Sequence, residues 1–189
     1  MVISSMRVIA GIAKGRKLYS PKGKAIRPTS DRVKEAIFNV IGPGVKNKNV
    51  LDVFAGTGGL GIEALSRGAQ TAYFIDSAAS AIELTNKNLE ITGLQGYAVV
   101  IRADVNKALK NLVKKGLKFD LIFLDPPYRI SVSFLDAILF MLSSSLLSAD
   151  GLLILEHSIK TKIKPVAGLE IDSTRSYGDT AVTFYRKKG

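Results

Sequence analysis

At 189 residues, 47% of them hydrophobic and 23% charged, the chain is long enough to bury a core and fits one globular domain with a small appendage. With no cysteine, disulfides and thiolate metal sites are excluded, and a single histidine, His157, leaves no basis for a zinc or iron site. The apolar stretch at 134–155 is broken by Asp136, Ser143 to Ser145 and Asp150, so no run reaches membrane-spanning length. The first residues lack the long apolar segment of a signal peptide, so the protein is expected to stay where it is made.

The net charge of +11 is unevenly placed. Through residue 48, eleven lysines and arginines are opposed only by Asp31 and Glu35. This marks residues 1–48 as a basic extension, expected to contact phosphates, ahead of a catalytic or binding domain over 49–189.

In chain order, Met1 to Ser5 is expected to contribute little. Arg7 to Leu18, with glycines at 11 and 15, reads as two short strands or a hairpin. The following segment, with Pro21, Gly23 and Pro28 among basic residues, reads as a surface loop. Thr29 or Ser30 then caps a helix whose dipole Asp31 complements. Its apolar stripe is Val33, Ala36, Ile37, Val40 and Ile41, with Arg32 and Lys34 left outside. Gly42-Pro43-Gly44 ends it.

From Asn49 the pattern alternates strand and helix, the signature of a parallel sheet with right-handed crossovers. Val50 to Val53 is the first strand, Gly59 to Arg67 a helix, Thr71 to Ile75 a strand and Ser77 to Thr92 a helix. Tyr97 to Ile101, Val105 to Lys115, Phe119 to Leu124, Phe134 to Leu147 and Leu152 to Glu156 continue it. Leu169 to Thr174 and Thr180 to Tyr185, joined at Tyr177-Gly178-Asp179, read as an antiparallel pair. The fold expected is α/β: a Rossmann-like, seven-stranded, mostly parallel sheet with one antiparallel strand, preceded by a small basic hairpin and helix.

Three glycines, Gly56, Gly58 and Gly61, follow the first strand in the pattern G-x-G-x-x-G. Such a turn permits positive φ and lets a ligand lie on the backbone at a helix N-terminus. Asp76, twenty residues past Gly56 and followed by Ser77, stands where a ribose diol is held. A dinucleotide and S-adenosylmethionine both fit this much. Asp52 favours the second, because a carboxylate before the turn repels a pyrophosphate but tolerates a sulfonium and an ammonium. Ala55 and Gly58 offer backbone groups, Asp104 can accept from an adenine amine, and Val105 supplies a backbone N–H. Asp104 can equally cap the helix behind it.

A second motif, Asp125-Pro126-Pro127-Tyr128, ends another apolar strand. With Asp52 to Gly58 (D-V-F-A-G-T-G), it resembles the amino-methylating S-adenosylmethionine-dependent methyltransferases. The resemblance makes Asp52, Phe54, Ala55, Gly56, Thr57, Gly58, Asp76, Ser77, Asp104, Val105 and Asp125 the expected cofactor residues. The second motif suits a nucleobase amine, which is planar and a poor nucleophile. The Asp125 carboxylate and the Pro126 carbonyl can each accept one of its N–H groups, the two prolines stiffen the backbone, and Tyr128 can stack on the base. His157 lacks a partner carboxylate and nucleophile and reads as structural.

Further matches, Arg7 to Leu18, Arg27 to Asn39 and Tyr177 to Arg186, give a resemblance to the bacterial 16S ribosomal RNA guanine-N2 methyltransferases of the RsmD type, a class I methyltransferase family. This implies S-adenosylmethionine as cofactor, 16S rRNA or the small ribosomal subunit as partner, guanine N2 as target and a cytoplasmic enzyme; a monomer without metal is expected. It also implies Asp125, Pro126, Pro127 and Tyr128 as catalytic residues, with Arg16, Lys17, Arg27 and Arg32 as RNA contacts. The residues alone leave open a DNA adenine-N6 or cytosine-N4 methyltransferase, and an inactive RNA-binding module of the same fold.

Overall fold

The computed structural model describes residues 2–21, 31–127, 130–161 and 163–188. Strand β1 (Val2–Arg7) pairs antiparallel with β2 (Lys17–Ser20), and helix α1 (Asp31–Ile41) follows. Strands β3 (Asn49–Val53), β4 (Thr71–Asp76), β5 (Ala98–Arg102), β6 (Phe119–Leu124) and β7 (Leu147–Ser158) then alternate with helices α2 (Gly59–Ser66), α3 (Ala79–Thr92), α4 (Val105–Lys114) and α5 (Val132–Met141). The hairpin β8 (Leu169–Tyr177) and β9 (Thr180–Lys187) completes a seven-stranded sheet of order β5-β4-β3-β6-β7-β9-β8. Only β9 runs against the others in that sheet. The expected architecture is present.

The strands of the centre are apolar throughout because both faces are covered. Side chains alternate between faces: Val50, Phe123 and Ile154 join the cluster containing α1 and α2, whereas Leu51, Ile122 and Leu153 join the one containing α4 and α5. Met6, Val8, Ala13 and Leu18 belong to the first cluster, so the N-terminal strands share a core with the sheet. Close approach also fixes one glycine there. A Cβ on Gly11 would fall 1.8 Å from the carbonyl oxygen of Ser66, at the end of α2.

Four local readings are corrected. Val2 to Ser5, expected to contribute little, lie in β1, so the hairpin read over Arg7 to Leu18 is present with its first strand starting earlier and its turns at 8–16. Lys34 is 1% exposed, with Phe38 buried beside it, so the covered stripe of α1 includes the lysine expected outside. It can be there because its ammonium lies 3.6 Å from Asp31 and 3.7 Å from Glu63 and donates to the Arg7 carbonyl. The helix read over 134–147 ends at Met141 and passes through a π-helical turn, Leu142–Leu146. Strand β7 then begins at Leu147 rather than Leu152, because the residues around Asp150-Gly151 are absorbed as an irregularity against β6 between Phe119 and Leu121.

Candidate active site

In parallel sheets of this kind ligands gather at the carboxyl ends of the strands, where the strand order reverses. Here the chain leaves β3 toward β4 and β5 on one side, then returns to β6 on the other. Val53 and Leu124, the last residues of β3 and β6, are register partners. The Asp125 N–H points to the Val53 carbonyl at 3.5 Å. The two sequence motifs therefore begin on neighbouring strands at the switch point.

The turn after β3 is held in an uncommon conformation. Phe54 has φ of 62°, rare for a bulky residue, and Gly56 and Gly58 follow with 56° and 74°. Bonds on several sides maintain it: Ala55 N–H to Ile75 O at 2.9 Å, Gly58 N–H to Ala55 O at 2.7 Å, and Gly56 N–H to Asp76 Oδ2 at 3.0 Å. The three glycines have different tasks. A Cβ on Gly56 would meet only the Phe54 carbonyl, at 3.9 Å, so the backbone there faces open space. On Gly61 it would lie 2.3 Å from the Phe74 ring, so that glycine serves helix-to-strand packing rather than a ligand.

Asp52 is 2% exposed and lies beneath this turn, its Oδ2 accepting the Gly61 N–H at 2.9 Å in the first turn of α2. Burial pushes its carboxyl up to about 7; the Gly61 bond opposes the rise and the Asp76 charge adds to it. Asp76 ends β4 half-buried, with Oδ2 on Gly56 and Oδ1 accepting the Ala78 N–H at 2.9 Å. Each oxygen keeps acceptor capacity for a diol. Ser77 beside it is exposed. The end of β5 is tied in by Ala103 N–H to Asp76 O at 3.1 Å. Asp104 caps α4, Oδ1 accepting the Lys107 N–H at 3.3 Å, and the Val105 side chain is buried.

Asp125 and Pro126 are half-buried and Pro127 is exposed, its carbonyl accepting the Ile130 N–H at 2.9 Å. Tyr128 and Arg27 lie outside the described residues. Thus Asp52, Phe54 to Gly58, Asp76 and Asp125 converge on one sheet edge. Arg16, Lys17 and Arg32 are exposed. The turns ahead of Arg16 and Lys17 meet Ser66, through Ile12 N–H to Ser66 O at 2.8 Å and Ala13 N–H to Ser66 Oγ at 3.0 Å. The eight residues of α2, about 12 Å of helix, separate that end from the glycine turn. His157 is structural, its ring nitrogens 2.9 Å from Ser158 O and Thr183 Oγ1, and burial lowers its pKa.

Sequence reasoning missed the supports of the turn. Thr85 and Asn88 on α3, 1% and 0% exposed, donate to the carbonyls of Gly56 at 3.1 Å and Thr57 at 2.9 Å. Their signal was available: two polar residues three apart on the inward face of an amphipathic helix. Glu63, fully buried on α2, was also missed; it accepts from Ile9 N–H at 2.7 Å, Ala10 N–H at 3.0 Å and Arg67 Nε at 2.8 Å.

Among the described residues no group of three or more histidines, cysteines or carboxylates could hold a metal ion, and no helix is long and apolar enough to cross a membrane. The Bacillus subtilis (strain 168) protein YlbH is 42% identical over 97% of this chain and 100% of its own. The ribosomal RNA small subunit methyltransferase D of Escherichia coli (strain K12) is 32% identical over 97% of this chain and 90% of its own. The solved structure of yhhF from Escherichia coli, 33% identical, superposes with a TM-score of 0.82 over 96% of this chain and 97% of that one. A family model described as Conserved hypothetical protein 95 matches residues 6–186. Matched along nearly its whole length, the chain belongs to this family, that of the ribosomal RNA small subunit methyltransferases D.

Proposed function

We propose that this protein transfers a methyl group from S-adenosylmethionine to the exocyclic N2 amine of a guanine in small-subunit ribosomal RNA, acting as a cytoplasmic monomer. The observation that carries the reading is the pairing of β3 with β6, which sets the glycine turn and Asp125 side by side. The names of the relatives support rRNA as the substrate class.

The residues present suit the cofactor. The open face over Gly56 admits a ligand against backbone, the Asp76 carboxylate offers two acceptors for a ribose diol, and Asp52 supplies negative charge beneath the turn. Asp104 and the Val105 N–H are the proposed adenine contacts, and Phe54, Ala55, Thr57, Gly58 and Ser77 complete the set. When bound, the cofactor supplies an electrophilic methyl group.

The chain's own part is to present the amine. The Asp125 carboxylate and Pro126 carbonyl each accept one amine N–H, which draws the nitrogen toward tetrahedral geometry and turns its lone pair into the site. Pro126 and Pro127 limit backbone freedom, so little motion is left to arrest. Tyr128 is assigned to stacking on the base, a contact worth about 1 to 3 kcal/mol. Positioning of this kind can supply about 7 to 11 kcal/mol of a barrier. Formation of the N–C bond would be matched by cleavage of the methyl–sulfur bond, with S-adenosylhomocysteine as leaving group, and the proton of the cationic amine would pass to Asp125 or to water. Residues 1–48 are the proposed RNA-contacting extension, with Arg16, Lys17, Arg27 and Arg32 on phosphates.

The test is nucleoside mass spectrometry of 16S rRNA and of assembled small subunits, each incubated with the enzyme and labelled S-adenosylmethionine. Labelled N2-methylguanosine from either is the expected product. Label on another base, or on DNA offered in parallel, would replace this reading.

A further inference from the structure

Asn88 joins two elements that serve different parts of the proposed reaction. Its Oδ1 accepts the Tyr19 N–H of β2 at 2.7 Å, while its Nδ2 donates to Tyr19 O at 3.0 Å and to Thr57 O at 2.9 Å. The amide has one workable orientation, since turning it over would set its oxygen against two carbonyls. One turn earlier on α3, Thr85 Oγ1 holds the Gly56 carbonyl at 3.1 Å. Consecutive carbonyls of the glycine turn are thus drawn toward α3, and the trans peptide after Gly56 sends the Thr57 N–H the opposite way. From β1, Met6 Sδ meets Thr57 Oγ1 at 3.9 Å. The N-terminal strand pair and the glycine turn therefore meet at the buried Asn88 amide, with the Met6 contact beside it.

We propose that Asn88 is a positioning residue through which RNA on the N-terminal strand pair and the cofactor on the glycine turn each strengthen the binding of the other. The inference rests on the function proposed above. Strand β2 cannot shift without carrying the Asn88 amide, and the amide cannot shift without carrying the Thr57 carbonyl. RNA that settles β2 also settles the turn, removing part of the ordering cost that the cofactor otherwise meets. By thermodynamic linkage the cofactor strengthens RNA binding by the same factor.

The test is calorimetric titration of S-adenosylhomocysteine into the full chain, with and without a saturating 16S rRNA transcript. In the wild type the ligand is expected to bind about 5- to 150-fold tighter with RNA present. Asn88→Ala, its fold checked by circular dichroism and a cooperative melt, should bring that ratio to near one. A merely structural role would weaken binding equally in both titrations and leave the ratio unchanged. Should Asn88→Ala fail to fold, Tyr19→Pro carries the same expectation, because it removes the N–H bonded to Oδ1 and lies outside the glycine turn. A wild-type ratio of one, or a variant ratio equal to the wild type's, overturns the proposal while leaving the function intact. A wild type that binds neither ligand overturns both.

Discussion

The ammonium of Lys34 lies 3.7 Å from the carboxylate of Glu63, with both side chains buried, and Arg67 Nε reaches the same carboxylate at 2.8 Å. Around this centre meet α1, α2 and the turns after β1, since Glu63 also accepts the N–H groups of Ile9 and Ala10. Burial lowers the Lys34 pKa, against the pull of Glu63 and Asp31. Removing one partner leaves the other charged and out of water. Lys34→Met should lower stability by about 1 to 3 kcal/mol in urea denaturation, since Glu63 keeps Arg67 and two N–H donors. The pair Lys34→Met with Glu63→Gln should be less destabilised than the sum of the single changes. Strict additivity would mean that the two groups do not sense each other.

The glycines of the turn should separate by phenotype. Gly61→Ala puts a methyl 2.3 Å from the Phe74 ring and should destabilise the fold by about 1 to 3 kcal/mol, with partial recovery on Phe74→Leu. Gly56→Ala meets no comparable obstacle, though its φ of 56° adds strain of about 1 kcal/mol. It should chiefly reduce affinity for S-adenosylhomocysteine, because the new methyl stands on the open face. Melting curves and calorimetry on both variants distinguish the two effects; equal losses of stability would contradict the division.

Asp52 sets a pH dependence whose sign follows from its raised pKa, about 7 against 3.8 for an ordinary aspartate. Between about pH 4 and pH 7 the folded protein keeps a proton that the unfolded chain has released, so this group's contribution to stability falls as pH rises. Relative to Asp52→Asn, the wild type should lose up to about 4 kcal/mol across that window. A cationic ligand above the carboxylate favours its ionised form. Affinity for S-adenosylmethionine should rise through pH 7 in the wild type and stay flat in Asp52→Asn. A flat wild-type profile would remove the proposed electrostatic role.

Asp125→Ala should lower turnover by about a hundredfold to a thousandfold, the usual range for losing one preorganised polar contact to a reacting group. Affinity for S-adenosylhomocysteine should change little, because the glycine turn keeps its own supports on α3 and β4. Single-turnover assays with saturating cofactor measure the first effect and calorimetry the second. Near wild-type turnover would refute the role assigned to the carboxylate.

Much of this was legible in the residues because strand ends announce themselves. Asp52, Asp76 and Asp125 each close an apolar run, and a parallel sheet brings such ends to one edge whatever the loops between them do. What escaped were side chains whose partners are remote in sequence. Lys34 reads as a surface residue until Glu63, 29 positions on, is seen to receive it. Asn88 reads as an ordinary helix position until Tyr19 and Thr57 are brought to its amide. The early start of β7 was hidden for another reason: Asp150-Gly151 carries turn chemistry, and only pairing with β6 converts it into an irregular strand.

The bonds that dock the N-terminal strands span long stretches of chain: 53 residues from Ala10 to Glu63 and 69 from Tyr19 to Asn88. Both partners lie C-terminal to the strands they dock. A nascent chain halted before Asn88 holds the α2 partners of the turns after β1 but lacks the amide that fixes β2, so docking of the strand pair is completed only with the second crossover helix.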